Sequence, residues 1–496
     1  MKKLLQIFLS LISFSAFSQG YNHQWLLGSY LFLQDPKGRI LFDTNTYTLF
    51  NENRKMVFNG TEGNISDANG NLLMSSNGAW IANATGDTMM NGSGLNPSTF
   101  STNWSSGFPF DYINVILPYP GDSSKYVLFH KTLWGTLWPA VTGFYKSTID
   151  MSLDTGLGGV IDKNDTLLSD TLSWGIGACK HANGIDWWVI VIREYAPIAY
   201  TFLLTPNGID TMFTQNLNFI SNTYGVASAI VFSQDGKKMI YCTPINQTPS
   251  GTVLLYDFDR CTGLFSNLHS FALSPGAYLW GLAFSPSGKF AYACTSNNIY
   301  QISVDSLTYT TVATYDGFIS TGTCCATTFW GMYLAANGKI YITSGSGVYH
   351  IHEMNYPDSA GIACDVQQHA IGLPYRQLRA VPNHPNYYLG CDTTSGCQCL
   401  ATGINNLTEH DFRFRIYPNP VSSASGGLNI GYQLPQNKSG LFQIYDITGK
   451  NVFKYVLPPW SNEQSFKLPE LADGIYNCVI SSVKERASKK IAVINE

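Results

Sequence analysis

The sequence predicts an all-β protein in which repeated four-stranded units, read as a seven-bladed β-propeller, precede a small C-terminal β-sandwich of immunoglobulin-like type. Three observations carry this. Gly (45), Tyr (29), Phe (28) and Trp (11) are abundant, and runs of Leu, Ala, Glu and Lys at helical spacing are missing, which favours strands joined by tight turns. Three stretches repeat one design: "AIVFSQDGKKMIYCT" from Ala229, "GLAFSPSGKFAYACT" from Gly281 and "MYLAANGKIYITS" from Met332. From Phe412 the repeat stops and shorter alternating strands, broken by Pro, Asn and Gly, take over.

In chain order, "MKKLLQIFLSLISFSAFSQG" places two lysines before an apolar stretch and then small residues. This is the pattern of a secretory signal peptide spanning 1–18, cut after Ser18. The stretch is shorter than the roughly 20 residues of a membrane span, and no later segment is long and apolar enough, so no membrane span is expected in the mature protein. The propeller is assigned to 19–400. Each repeat is an apolar strand, a turn ending in Gly-Lys and a second alternating strand, hence a β-hairpin. The turn glycines Gly236, Gly288 and Gly338 recur at about 50 residues, as in propeller blades. Stepping back reaches Gly184, Gly121 and Gly70; stepping forward reaches Asn386, giving seven hairpins. In the Ala229 unit, "AIVFS", "KKMIYCT", "TVLLYDFD" and "LFSNLHSFA" read as innermost to outermost strands. Too little chain follows Asn386 to finish a blade, so "QWLLGSYLFL" and "GRILFDT" are expected to pair with C-terminal strands and close the ring, removing exposed sheet edges. The alternative architecture is a pair of β-sandwiches. The interval from Gly121 to Gly184 exceeds the others and predicts an extra loop.

Residues 401–411 read as a linker and 412–496 as the final domain. Its "RIYPNPVSS", "LFQIYDITGKNVF" and "SFKLPELADGIYNCVI" resemble the type A C-terminal sorting domain of the type IX secretion system of Bacteroidetes. Pro418, Asn419 and Pro420 match the opening motif of that family, Asp446, Gly449 and Lys450 its central turn, and Gly474, Ile475 and Tyr476 a later strand. The resemblance implies the secretion machinery as partner, export to the medium or the outer cell surface, and removal of the tail. The stretches "ISDANGNLLMSSNG", "KHANGIDWWVIV", "YKSTIDMSLDTGLGGV" and "PDSAGIACDVQQHAIGLP" resemble secreted Bacteroidetes β-propeller proteins with this same tail, a group without an established activity.

Composition excludes some partners. With 29 basic against 33 acidic residues, there is no cationic excess for phosphates, so nucleic acid is not expected. Eleven cysteines leave at least one unpaired; "CDTTSGCQC", holding Cys391, Cys397 and Cys399, is where a disulfide is expected in an exported protein. Cys242 and Cys294 occupy matching places in second strands and read as small core residues. Asp186 reads as turn support, and Trp187 and Trp188 as packing.

No catalytic, cofactor-binding or metal-ligating set is assigned. The region before the tail holds few glutamates, and no pair suggests the two facing carboxylates of a glycosidase. Neither G-x-S-x-G nor H-E-x-x-H occurs. His350 and His352 share a strand face, but two ligands do not make a site, and they read as polar residues on a wet face. Trp104, Trp134 and Trp138, between the first and third hairpins, are the candidates for stacking on sugar rings or anchoring a protein. The function expected is binding of an extracellular carbohydrate or protein. The alternatives are a propeller polysaccharide lyase or glycosidase with its residues at the central channel, and a non-catalytic surface scaffold.

Overall fold

The computed structural model describes residues 20–29, 36–42, 46–134, 140–194, 196–219, 229–242, 251–273, 278–323, 325–399, 414–422, 427–434, 438–482 and 485–495. The expected signal peptide and linker therefore lie outside the described residues. Strands dominate what is described.

Seven antiparallel sheets follow one another along the body, each a meander of strands adjacent in sequence. The first holds β1 (Gln24–Leu27), β2 (Lys37–Phe42) and β3 (Tyr47–Glu52), the second β4 (Gly63–Ser66), β5 (Leu72–Ser76) and β6 (Ile81–Asn83). A short helix, α1 (Thr99–Asn103), leads to the third: β7 (Asn114–Pro118), β8 (Lys125–Trp134), β9 (Ala140–Asp150) and β10 (Gly159–Leu172). The fourth is β11 (Gly177–Lys180), β12 (Trp187–Ile192), β13 (Ile198–Thr205) and β14 (Gly208–Asn216). The fifth is β15 (Ile230–Phe232), β16 (Lys238–Cys242), β17 (Thr252–Asp259) and β18 (Leu264–Ala272), the four strands expected of the Ala229 unit. The sixth is β19 (Gly281–Phe284), β20 (Phe290–Cys294), β21 (Asn298–Ser303) and β22 (Tyr309–Thr314), and the seventh β23 (Met332–Leu334), β24 (Ile340–Ile342), β25 (Val348–Met354) and β26 (Val366–Gln377). First strands neighbour one another: β1 lies beside β4, β4 beside β7, β11 beside β15, β15 beside β19 and β19 beside β23.

The six glycine turns open hairpins for a conformational reason. Gly70, Gly121, Gly184, Gly236, Gly288 and Gly338 have φ of +84°, +76°, +80°, +70°, +74° and +79°, a region that carries no steric cost only for glycine. Most inner-strand residues are buried, and β1, β4 and β19 are buried along their whole length. Cys242 and Cys294 are fully buried, and Trp187 and Trp188 are core residues.

Three expectations need correction. Asn386 opens no hairpin; its side chain donates to Gln234 O (2.7 Å) and accepts from Tyr388 N (3.0 Å), which holds a coil. The N-terminal strands pair with each other, β1 to β2 and β2 to β3, and form a sheet of their own. That sheet meets the last one where Ser29 N reaches Arg376 O (3.2 Å), where Gly28 N reaches Gln377 Oε1 (2.9 Å), and through aromatic contacts such as Phe42 with Tyr341 (5.1 Å). The long interval after Gly121 is spent on strand length, 10, 11 and 14 residues in β8, β9 and β10, and not on a loop among the described residues.

The coil after β26 fills the space the first strands share. Asn383 Nδ2 donates to Asn114 O (3.0 Å) and Ile176 O (2.9 Å), Asn386 to Gln234 O, and Tyr387 OH to Ile116 O (3.0 Å). His384 Nε2 lies 2.9 Å from Asn64 O. A carbonyl only accepts, so Nε2 carries the proton, and Nδ1 accepts from the Tyr333 hydroxyl at 2.8 Å. Five main-chain carbonyls at the inner edges of the sheets thus receive side-chain donors. Beyond the coil, the disulfide Cys261–Cys397 fastens the chain to the fifth sheet, and Cys391–Cys399 closes a local loop.

The tail forms two sheets around one core. One comprises β27 (Phe414–Tyr417), β28 (Gly427–Tyr432) and β31 (Glu463–Lys467); the other comprises β29 (Gly440–Tyr445), β30 (Asn451–Leu457), β32 (Gly474–Ser482) and β33 (Glu485–Val493). Phe442 and Phe466 stack between them at 5.0 Å. Gly390 N donates to Trp460 O (2.8 Å), joining tail and body.

Two outcomes follow from the filled centre. Asn383→Ala leaves two buried carbonyls without a donor and should cost about 2 kcal/mol in chemical denaturation. Glu62, 1% exposed, has its carboxyl pushed up to about 8 by burial, against hydrogen bonding from Asn64 and attraction to Arg54. The folded state holds a proton that the unfolded chain loses above 4.5, so stability is full below that pH and declines as pH rises toward 8. Glu62→Gln should unfold with the native chain at pH 5 and at higher denaturant than the native chain at pH 8.

Candidate binding site

The segments leading into the first strands carry an aromatic stack. Trp280 precedes β19 directly and Trp330 stands two residues before β23. Their rings lie 3.5 Å apart at 16°, and Tyr278 stacks on Trp280 at 5.2 Å and 24°. The Arg379 guanidinium sits 5.1 Å from the Trp330 ring centre, a cation–π distance. Close approach depends on Gly345, where a Cβ would stand 2.3 Å from the Trp330 ring. Both indole N–H groups are satisfied: Trp280 donates to Ser296 Oγ (3.0 Å) and Trp330 to Asp111 Oδ2 (2.9 Å). Tyr278, the outermost ring, is 48% exposed.

Asp111 precedes β7, so its bond to Trp330 joins the third sheet to the seventh across the mouth of the shared space. It is 2% exposed, and burial pushes its carboxyl up to about 6, with Arg379 and the Trp330 hydrogen bond pulling the other way. Oδ1 has no partner. Asp111 also links this stack to a second aromatic run through its neighbour Phe110, which meets Trp174 edge-on at 4.5 Å and Phe100 at 5.5 Å.

Of the three sequence candidates, Trp104 caps α1, is 37% exposed and stacks on Phe100 at 5.9 Å. Trp134 ends β8, and Trp138 lies outside the described residues. Sequence reasoning missed Asp111, Tyr278, Trp280, Trp330 and Arg379. A signal existed for two of them: Trp280-Gly281 and Trp330-Gly331 are Trp-Gly pairs at the same offset before the turn glycines Gly288 and Gly338. His350 and His352 do not share a wet face. His352 is fully buried and accepts from His369 N through Nδ1 (3.0 Å), while His350 meets Ser320 Oγ (2.9 Å).

In the tail, Asp446 Oδ1 accepts from Thr448 N (2.9 Å), Thr448 Oγ1 (2.7 Å) and Lys450 N (3.0 Å), and Gly449 has φ +84°. The Thr448 hydroxyl chiefly lowers the Asp446 pKa. Asn419 bonds β33 twice, from Nδ2 to Lys490 O (3.1 Å) and from Ala492 N to Oδ1 (2.9 Å). Pro418 and Pro420 flank it.

Residues 415–494 match the family described as the secretion system C-terminal sorting domain. No curated protein matches the chain. Among solved structures, the extracellular domain of a putative hybrid two component system, BT4673, from B. thetaiotaomicron aligns at 9% identity over 97% of this chain and 56% of that one, with a TM-score of 0.36. The chain thus spans little more than half the length of that relative. A functionally unknown protein from Desulfotomaculum acetoxidans aligns at 12% identity over 71% and 91%, with a TM-score of 0.34. Kluyveromyces lactis Hsv2 aligns at 8% over 65% and 91%, also at 0.34. Similarity at this level carries no argument about function. The tail marks the protein as one exported by the type IX system to the medium or the outer cell surface. Among the described residues no helix is long and apolar enough to cross a membrane.

The Asp111–Trp330 bond is testable by spectroscopy. The carboxyl takes up its proton near pH 6, so the near-ultraviolet circular dichroism of the tryptophans should titrate with that midpoint, and Asp111→Asn should flatten the titration.

Proposed function

We propose that the seven sheets are blades of a β-propeller, and that the protein is an exported binding module for an extracellular carbohydrate or protein, with the tail serving only export. The succession of neighbouring first strands, and the contact of the first sheet with the seventh, support the propeller. In this reading residues 1–18 are a leader, and the proline, asparagine and Asp446 turn motifs shape the domain that the secretion machinery handles.

One observation favours binding over catalysis: the centre, where a propeller enzyme would gather its acid and base, is filled by residues 382–388. A cavity beside this segment is about 70 Å³, too small for a sugar ring. Glu62 and Asp111, the buried carboxyls with raised pKa, are enclosed and not open to a substrate. Polar and aromatic surface is offered instead at the mouth, where Tyr278 presents a ring backed by two tryptophans, a geometry suited to stacking on the apolar face of a sugar or receiving a partner side chain.

The test is to incubate the full chain with immobilised polysaccharides and glycoproteins, recording retention and product release together. Retention without release, weakened about tenfold by Tyr278→Ala (roughly 1.4 kcal/mol), is expected. Product release would overturn the reading in favour of a lyase or glycosidase.

A further inference from the structure

A second concave surface lies away from the stack, between the third and fourth sheets. Its volume is about 450 Å³, within the range of small-ligand sites. The floor is apolar: Val127 from β8, Leu204 from β13, and Pro206 from the turn that follows it. The turn before β8 is joined to that opposite wall where Tyr119 OH donates to Pro206 O (3.4 Å).

The wall contributed by β10 is shaped by a bulge. Val160 pairs with Ile149 and Asp162 with Thr148, so Ile161 is the extra residue. It stands 44% exposed at the cleft. Bulges re-aim side chains beside functional sites, and here the result is an isoleucine turned toward solvent within a hollow.

The polar lining decides the ligand class. Lys125 is paired with Asp122 at 2.9 Å and Lys146 with Asp165 at 2.6 Å. Asp122 is held down at about 2 by Ser124 and Lys125, so its pair persists across physiological pH. Neither ammonium is left over to attract an anion, and Asp162, in no ion pair among the described residues, adds a carboxylate that accepts from hydroxyls. What remains is a balanced set of donors and acceptors, with Thr148 and Asp162 between the two lysines, above an apolar strip. A pyranose offers the complement of this surface: hydroxyls around its rim and an apolar C–H face.

We propose that the cleft between the third and fourth sheets binds a neutral oligosaccharide, an inference that rests on reading the protein as an extracellular binder. The stack at the mouth is then a separate surface.

Calorimetric titration of the full chain with neutral gluco-, manno- and xylo-oligosaccharides, and with an acidic oligogalacturonide, tests it. Saturable binding of a neutral sugar is expected, at least tenfold weaker in Lys146→Met and in Thr148→Val. The two cleft variants are each checked for an unchanged unfolding transition, and either alone suffices. Loss of binding in Tyr278→Ala with the cleft variants unaffected would overturn the cleft while leaving the binder reading intact, as would binding of the acidic sugar alone. Absence of binding to every sugar would overturn the cleft proposal; retention of a glycoprotein in the earlier assay would then decide whether the binder reading survives.

Discussion

The body depends on the donors that residues 383–387 bring to the inner edges of its sheets. A first strand pairs on one side only, with the second strand of its own sheet, and its other side faces the centre. Unpaired carbonyls in such a place, shut off from water, are costly. Here Asn383, His384 and Tyr387 satisfy three of them with side chains, and Asn383 and Asn386 satisfy two more carbonyls just outside the first strands. Side chains suit this task better than another strand would, because the carbonyls belong to several sheets pointing in different directions, and no single straight edge could pair with all of them.

The same arrangement explains where the molecule leaves room for ligands. With the centre occupied, what is open lies at the periphery and at the mouth. The Asp111–Trp330 bond spans that mouth from the third sheet to the seventh, and the stacked rings extend outward from it. The tail follows a different logic. Asp446 and Asn419, the polar residues that gave it a recognisable motif, are spent on holding a turn and on tying the start of the domain to its last strand. A motif of this kind records the geometry of a small sandwich as much as any surface that another protein touches.

Much of the strand framework was legible because its cause is local. A glycine at positive φ between two alternating apolar stretches signals a hairpin without reference to anything distant, and six did so. The segment around Asn386 misled because asparagine serves turns and coils alike, and its partners, Gln234, Asn114 and Asn64, lie far away in sequence. The N-terminal sheet was misplaced for a related reason: alternation shows that β1 and β2 are strands and is silent on whom they pair with. The mouth was readable only in part. The paired Trp-Gly steps repeat with the period, whereas Asp111 and Arg379 gain their role solely from three-dimensional proximity to Trp330.

The position of the central coil in the chain has a consequence for assembly. Each sheet is built from consecutive strands and can form from local contacts as soon as its own residues are available. The coil comes after all seven, and its contacts are among the longest in the molecule; Tyr21 N and the Tyr388 hydroxyl are separated by 367 residues. Closing such contacts carries the loop entropy that slows folding. A chain that emerges from its N-terminus would hold a string of formed but unlocked sheets until the final stretch of the body arrives. Completion is thereby timed to the appearance of the segment that immediately precedes the tail.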